Sequence, residues 1–285
     1  MLLLSSFSSF SNSIVSSPVN IPRSSVVEIK DLATNLTYPL FIKLPKSYKK
    51  QKNKRYPVIY LTDALYAFQI VSGATRFPMN FNSMEEAIIV GISYAKGSKG
   101  SSSRVRDYTP TFNEQWKNKT GDAKQHALFI ENTVFNYIDT NYRTDIANRT
   151  FIGNSLGGLF GTYILLNKSK MFKNYILGSP SYWWDNEYIY KQEAEFVKRD
   201  IAINANVFIS IGALETQEFG ANYNMVADAQ RFYNKMLKWQ PNNLNVKLLV
   251  IPEANHMTAF PTTAIQGLQW VLGKCVKTTN CLHKK

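Results

Sequence analysis

A chain of 285 residues with 45% hydrophobic and 13% aromatic content can bury a sizeable core, which excludes a disordered protein. The formal net charge of +13 suits an anionic partner, yet the lysines are dispersed and no RNP, zinc-finger or helix-turn-helix pattern occurs, which argues against a nucleic-acid binder. No apolar run reaches the roughly 18 residues of a membrane-spanning helix, and the 3 histidines and 2 cysteines show no metal-ligand spacing, so neither a membrane anchor nor a metal or other cofactor is expected.

Residues 1–22 read as a serine-rich leader or signal-peptide-like segment, residues 23–274 as one domain, and 275–285 as a basic tail. The tail carries Cys275 and Cys281, either a small disulfide or two free thiols. Together with the leader, they tilt the expected location towards the periplasm or outside the cell, with the cytoplasm as the alternative. Ser24–Lys30 and Leu40–Leu44 predict two antiparallel strands. A basic exposed loop, 49–55, leads into Tyr56–Leu61, a continuous apolar strand of the kind a parallel sheet covers on both faces. A helix is expected over Phe68–Phe77 and another buried strand over Ala87–Ile92. A long polar loop, Tyr94–Asn118, follows, of a length more often functional than structural. Asp122–Tyr142 has helical period, with Ala127, Ile130, Val134, Tyr137 and Ile138 on one side. Strands are expected at 150–153, Tyr175–Gly178, Val207–Gly212 and Val246–Ile251, and helices to about 167, over Met225–Trp239 and over Ile265–Leu272. This alternation predicts an α/β fold: one domain with a mostly parallel, doubly wound sheet and antiparallel N-terminal strands.

Gly153-Asn154-Ser155-Leu156-Gly157 matches G-x-S-x-G, where a serine sits at a tight strand-to-helix turn and flanking glycines remove clashing side chains. A serine nucleophile needs a base and a group that orients the base, in the chain order Ser, Asp/Glu, His. His126 precedes the serine and His283 lies on the tail, which leaves His256, just past the last strand, as the base. Glu215, after the strand Val207–Gly212, is the expected acid; Glu218, Asp228 and Glu253 are its rivals. The oxyanion hole is expected from the backbone N–H of Leu156 and that of Ala64 or Leu65.

Several stretches then combine: Tyr56–Asp63, Arg106-Asp107-Tyr108-Thr109-Pro110-Thr111, Gly153–Leu159, Ser179-Pro180-Ser181-Tyr182-Trp183-Trp184, Gly212-Ala213-Leu214-Glu215 and His256 before Gly267-Leu268. In this order they resemble the α/β-hydrolase esterase family that includes esterase D-like proteins and trilactone siderophore esterases, over roughly residues 25–273. The resemblance implies a serine carboxylic-ester hydrolase acting through an acyl-enzyme, with Ser155 as nucleophile and His256 as base, and the Arg106 loop near a small-molecule ester. The siderophore (catecholate trilactone) branch is the nearest in these motifs. Arg106 is expected either to meet an anionic group of the substrate or to pair with Asp107, and Trp183 and Trp184 either to line an aromatic wall or to belong to the core. The branch's Asp-Gly and His-Gly are here Asp63-Ala64 and His256-Met257, changes expected at the pocket mouth. The alternatives are an acyltransferase, an S-formylglutathione-type thioesterase, or a catalytically silent binding protein on the same scaffold. Oligomeric state is left open.

Overall fold

Strand β3 (Tyr56–Leu61) is buried at all six positions, as are β4 (Ile88–Ile92) and β6 (Asn174–Gly178) at all five. Only a sheet covered on both faces buries every residue of a strand. The computed structural model describes residues 16–199, 201–239 and 243–274; the first part of the expected leader and the Cys275–Cys281 tail lie outside the described residues. The other strands are β1 (Ser24–Lys30), β2 (Thr37–Lys43), β5 (Thr144–Asn154), β7 (Asn204–Gly212) and β8 (Asn243–Ile251). They form one eight-stranded sheet in the order β1-β2-β4-β3-β5-β6-β7-β8. β1 and β2 run antiparallel, with Val27 opposite Leu40, and β2 is antiparallel to β4. Every later pairing is parallel. This is the predicted α/β-hydrolase architecture.

Helices α1 (Ala64–Asn80), α2 (Gly100–Tyr108), α3 (Ala123–Phe129), α4 (Phe135–Asn141), α5 (Leu156–Asn167), α6 (Trp184–Lys198), α7 (Met225–Met236) and α8 (Ala259–Leu272) cover the sheet. α1 and α8 pack on one face through Phe68, Val71, Phe260 and Leu268. The opposite face takes the other helices, with Tyr108, Ile130, Phe160, Phe196 and Phe232 in the core. The helix predicted over 122–142 forms as α3 and α4, joined by a π turn at Ile130–Val134.

Two stretches depart from the sequence expectation. The loop expected over 94–118 contains α2, whose Val105 and Tyr108 are buried while Ser103 hydrogen-bonds Asp107. Helix α6 was not foreseen. Its first turn is abnormal: Asp185, Asn186 and Glu187 have φ of 47°, 52° and 60°, in the left-handed region. Each such non-glycine residue costs roughly 1–2 kcal/mol.

Candidate active site

The C-terminal ends of β3, β5, β6, β7 and β8 bring the expected site residues to one edge of the sheet, where open α/β sheets place their ligands. Ser155 stands between β5 and α5 with φ 59° and ψ −118°, a backbone that a side chain adopts only under constraint. The constraint is visible in the neighbours. A Cβ on Gly153 would lie 2.2 Å from the Gly157 carbonyl oxygen, and one on Gly157 would lie 2.5 Å from Thr62 Oγ1. The turn closes this tightly only with glycine at both positions. The Ser155 N–H donates to the Gly178 carbonyl at 2.8 Å, which ties the elbow to the end of β6.

Glu215 follows β7 and is buried, 2% exposed. Its Oε1 accepts from Ser179 Oγ at 2.6 Å and from the Gly212 N–H at 2.8 Å; its Oε2 meets His256 Nδ1 at 2.6 Å. The loops after β7 and β8 are laced together, since the Ala213 and Leu214 N–H groups donate to the Ile251 and Ala254 carbonyls, each at 2.9 Å. This lacing brings His256 onto Glu215. Glu218 and Glu253 are exposed, and Asp228 pairs with Arg231 at 3.1 Å, so none of the three rivals meets His256. The His256 side chain remains 38% exposed.

The Ser155 hydroxyl is 3.2 Å from the hydroxyl of Ser181, which is fully buried. No hydrogen bond joins Ser155 to His256 among the described residues; catalytic hydrogen bonds are often loose without substrate. Ser179 and Ser181, two residues apart, thus hold the acid and the nucleophile from one segment. Neither was singled out by its position in the chain.

Leu156 opens α5, and Ala64 and Leu65 open α1, so their N–H groups belong to helix first turns that have no intrahelical acceptor. Asp63, before α1, is itself left-handed at φ 56°. Its carboxylate is gripped by Arg104, Nε to Oδ1 at 3.0 Å, and Arg104 Nη2 also reaches the Asn154 carbonyl at 3.4 Å. Arg104 therefore fastens the loop after β3 to the strand that carries the nucleophile. Burial and this ion pair pull its basicity in opposite directions; the net result is upward, because Asp63 favours the cation.

Arg106, the arginine expected near substrate, is placed otherwise. Its Nε and Nη2 donate to Asp107 Oδ1 and Oδ2 at 2.7 and 2.9 Å, and Nη2 contacts the Tyr38 hydroxyl at 3.3 Å. It is the ion-pair reading that the structure shows. Trp184 belongs to the core, 1% exposed, with its Nε1–H donated to Thr111. Trp183 is part-buried, stacked face to face on Tyr223 at 4.6 Å, and lines an open groove. Ala64 is fully buried, and a Cβ on Gly91 would stand 2.9 Å from its methyl, so its side chain fills core and does not narrow the mouth. Met257 does stand at the surface, 81% exposed.

A strained serine at a strand-to-helix elbow, a histidine past the last strand and a buried carboxylate on that histidine, all at one edge of a mostly parallel sheet, define an α/β-hydrolase. The model of the family described as "Putative esterase" matches residues 33–244. The chain belongs to this esterase family and is an ester-hydrolysing enzyme. It is 29% identical to the ferri-bacillibactin esterase BesA of Bacillus subtilis over 92% of this chain and 93% of that one. The siderophore triacetylfusarinine C esterase of Aspergillus fumigatus is 30% identical over 50% of each. Among solved structures, the BES protein from Bacillus cereus superposes with a TM-score of 0.82 at 26% identity, covering 93% of this chain and all of that one. The enzyme thus resembles siderophore esterases. Among the described residues no helix is long and apolar enough to cross a membrane.

Proposed function

We propose that the chain is a serine esterase that cleaves a siderophore-type ester. Ser155 attacks the ester carbonyl, and His256 Nε2 takes the hydroxyl proton after the serine turns from Ser181. Glu215 fixes the imidazole with the proton on Nδ1 and stabilises the imidazolium that forms. The tetrahedral oxyanion is received by the N–H of Leu156 and by that of Ala64 or Leu65, each donor contributing about 3 kcal/mol in such holes. His256 then protonates the leaving alkoxide, and water, activated by the same imidazole, releases the acyl group.

The observation that carries this reading is the 2.6 Å contact between Glu215 and His256 beside the strained elbow. The siderophore class is supported by what the relatives' names say they act on. The exposure of His256 favours water as acceptor over the alcohol of an acyltransferase. The test pairs wild type with Ser155→Ala on p-nitrophenyl acetate and butyrate, with a fluorophosphonate probe on both. A second panel offers a catecholate trilactone, a hydroxamate triester, a feruloyl ester and S-formylglutathione. Hydrolysis and probe labelling that vanish in Ser155→Ala are expected, with a siderophore ester turned over best. A wild type as inert as the variant overturns the esterase reading; preference for the thioester overturns the siderophore class.

A further inference from the structure

Three polar contacts tie Ser155 to one segment, 178–181. Its N–H donates to the Gly178 carbonyl at 2.8 Å, its carbonyl accepts from the Ser181 N–H at 3.2 Å, and its hydroxyl meets the Ser181 hydroxyl at 3.2 Å. That segment is itself fixed. The Ser179 N–H donates to the Ser210 carbonyl at 2.8 Å, and the Trp184 N–H donates to the Ser181 carbonyl at 3.1 Å. Ser179 is left-handed at φ 39°, a backbone that persists only where the surroundings over-determine it. On the α5 side a Cβ on Gly158 would stand 3.1 Å from Pro180 Cα. The Ser181 hydroxyl therefore stays in place when the Ser155 side chain moves.

Burial decides which hydroxyl donates. Ser181 is fully buried, and Ser155 Oγ is the one hydrogen-bond partner of its hydroxyl among the described residues. If Ser155 donated, the Ser181 hydrogen would lie in dry protein without an acceptor, which is costly. Ser155 is only part-buried, and its own hydrogen can face solvent. The arrangement that strands no buried donor has Ser181 donating to the nucleophile. On the other side, His256 is held from behind by Glu215, Nδ1 to Oε2 at 2.6 Å, so the serine is the partner that has to move. Its turn towards His256 breaks the Ser181 bond and leaves a buried donor unmet.

We propose that Ser181 is a positioning residue that keeps the free enzyme at rest: its hydroxyl holds Ser155 Oγ away from His256, and an incoming ester must win the serine from it. Only the turned fraction of the free enzyme is competent to attack, and every reagent is slowed by that fraction. The proposal rests on the esterase reading and deepens it by naming the residue that sets this fraction.

Ser181→Ala removes both the bond and the stranded donor, so Ser155 turns freely. The second-order rate of fluorophosphonate labelling and kcat/KM for p-nitrophenyl acetate and for a siderophore triester are expected to rise by one common factor of about ten. For an ester that saturates the enzyme, KM should fall more than kcat rises. Loss of a merely structural hydrogen bond does not speed three unlike reagents equally. Ser181→Cys keeps the side chain's place with a weak donor and should show a smaller gain. Ser179→Ala takes an equally buried hydroxyl from the same segment, but one that holds Glu215, and should slow all three reactions. Rates at or below wild type in Ser181→Ala overturn the proposal, as does an equal gain in Ser179→Ala; if Ser181→Ala does not fold, Ser181→Cys decides on the same terms. In each of these cases wild-type hydrolysis that is absent in Ser155→Ala leaves the esterase reading standing. A wild type inert to all three reagents overturns both.

Discussion

Replacing Glu215 by glutamine exchanges one carboxylate oxygen for an NH2, and the structure dictates which. Oε1 accepts from both Ser179 Oγ and the Gly212 N–H, so the amide oxygen must take that place. The NH2 then faces His256 Nδ1 at the position Oε2 holds at 2.6 Å. Two donors cannot share a proton, so the imidazole must move its hydrogen to Nε2 and present Nδ1 as acceptor. Nε2 is the nitrogen that has to receive the Ser155 proton, and in this tautomer it cannot. In the serine-protease template the equivalent Asp-to-Asn change lowers kcat about 10,000-fold, or roughly 5 kcal/mol of barrier. A loss of that order is expected here in kcat for p-nitrophenyl acetate, with KM changed little. Folding should survive, because the two hydrogen bonds to Oε1 are kept. Glu218→Gln, on an exposed 3₁₀ turn, is the control and should retain wild-type rates. A Glu215→Gln enzyme within ten-fold of wild type, or an equal loss in Glu218→Gln, refutes the reasoning.

Arg104→Met removes the clamp between Asp63 and Asn154 and leaves a carboxylate 8% exposed without its cation. It should cost about 3 kcal/mol in urea unfolding and about 100-fold in kcat with KM little moved, Arg104→Lys recovering part; unchanged kcat would refute its positioning role. His126 is buried among Tyr38, Tyr108, Phe129 and Phe160, neither ring nitrogen has a hydrogen-bond partner among the described residues, and burial lowers its pKa despite nearby Asp107. The folded state therefore holds the neutral ring while the unfolded chain protonates near pH 6.5. Stability from this group is present above that pH and falls by at most about 1.4 kcal/mol per unit below it. His126→Phe should flatten that part of the melting-temperature profile, and an unaltered slope counts against the assignment. Gly153→Ala sets a methyl 2.2 Å from the Gly157 carbonyl oxygen, a backbone contact no rotamer relieves. A loss of about 3 kcal/mol or outright insolubility is expected, and a normal urea midpoint would show that the elbow is looser than described.

The elbow and the order Ser155, Glu215, His256 could be read from the chain because both follow from local rules. Glycine spacing reports backbone crowding, and strand ends report which edge a loop reaches. The two helices that departed from expectation fail those rules for identifiable reasons. In α2 the run Gly100-Ser101-Ser102-Ser103 has poor helix propensity, and the helix stands because Val105 and Tyr108 are buried. In α6 a core-facing position is Glu193, 3% exposed, which accepts from Lys235 Nζ at 2.7 Å and Trp239 Nε1 at 2.8 Å. A buried carboxylate at such a position breaks the apolar period that marks a helix face. Arg104 and Arg106 lie two residues apart, and only Arg106 has a carboxylate beside it in the chain. Which one braces the elbow is decided by Asp63 and Asp107, partners contributed by the tertiary fold and by the adjacent residue respectively.

The same distinction governs charge. A net +13 summed over the chain argues for an anionic ligand, and it does describe the field that an approaching molecule meets at long range. Within a groove the sum is taken over the lining groups alone, and at a few ångströms each unpaired carboxylate outweighs many distant screened lysines. Asp185, Glu187 and Asp228 against Arg231 give that local sum its negative sign. A chain can therefore be basic in bulk and acidic within one groove.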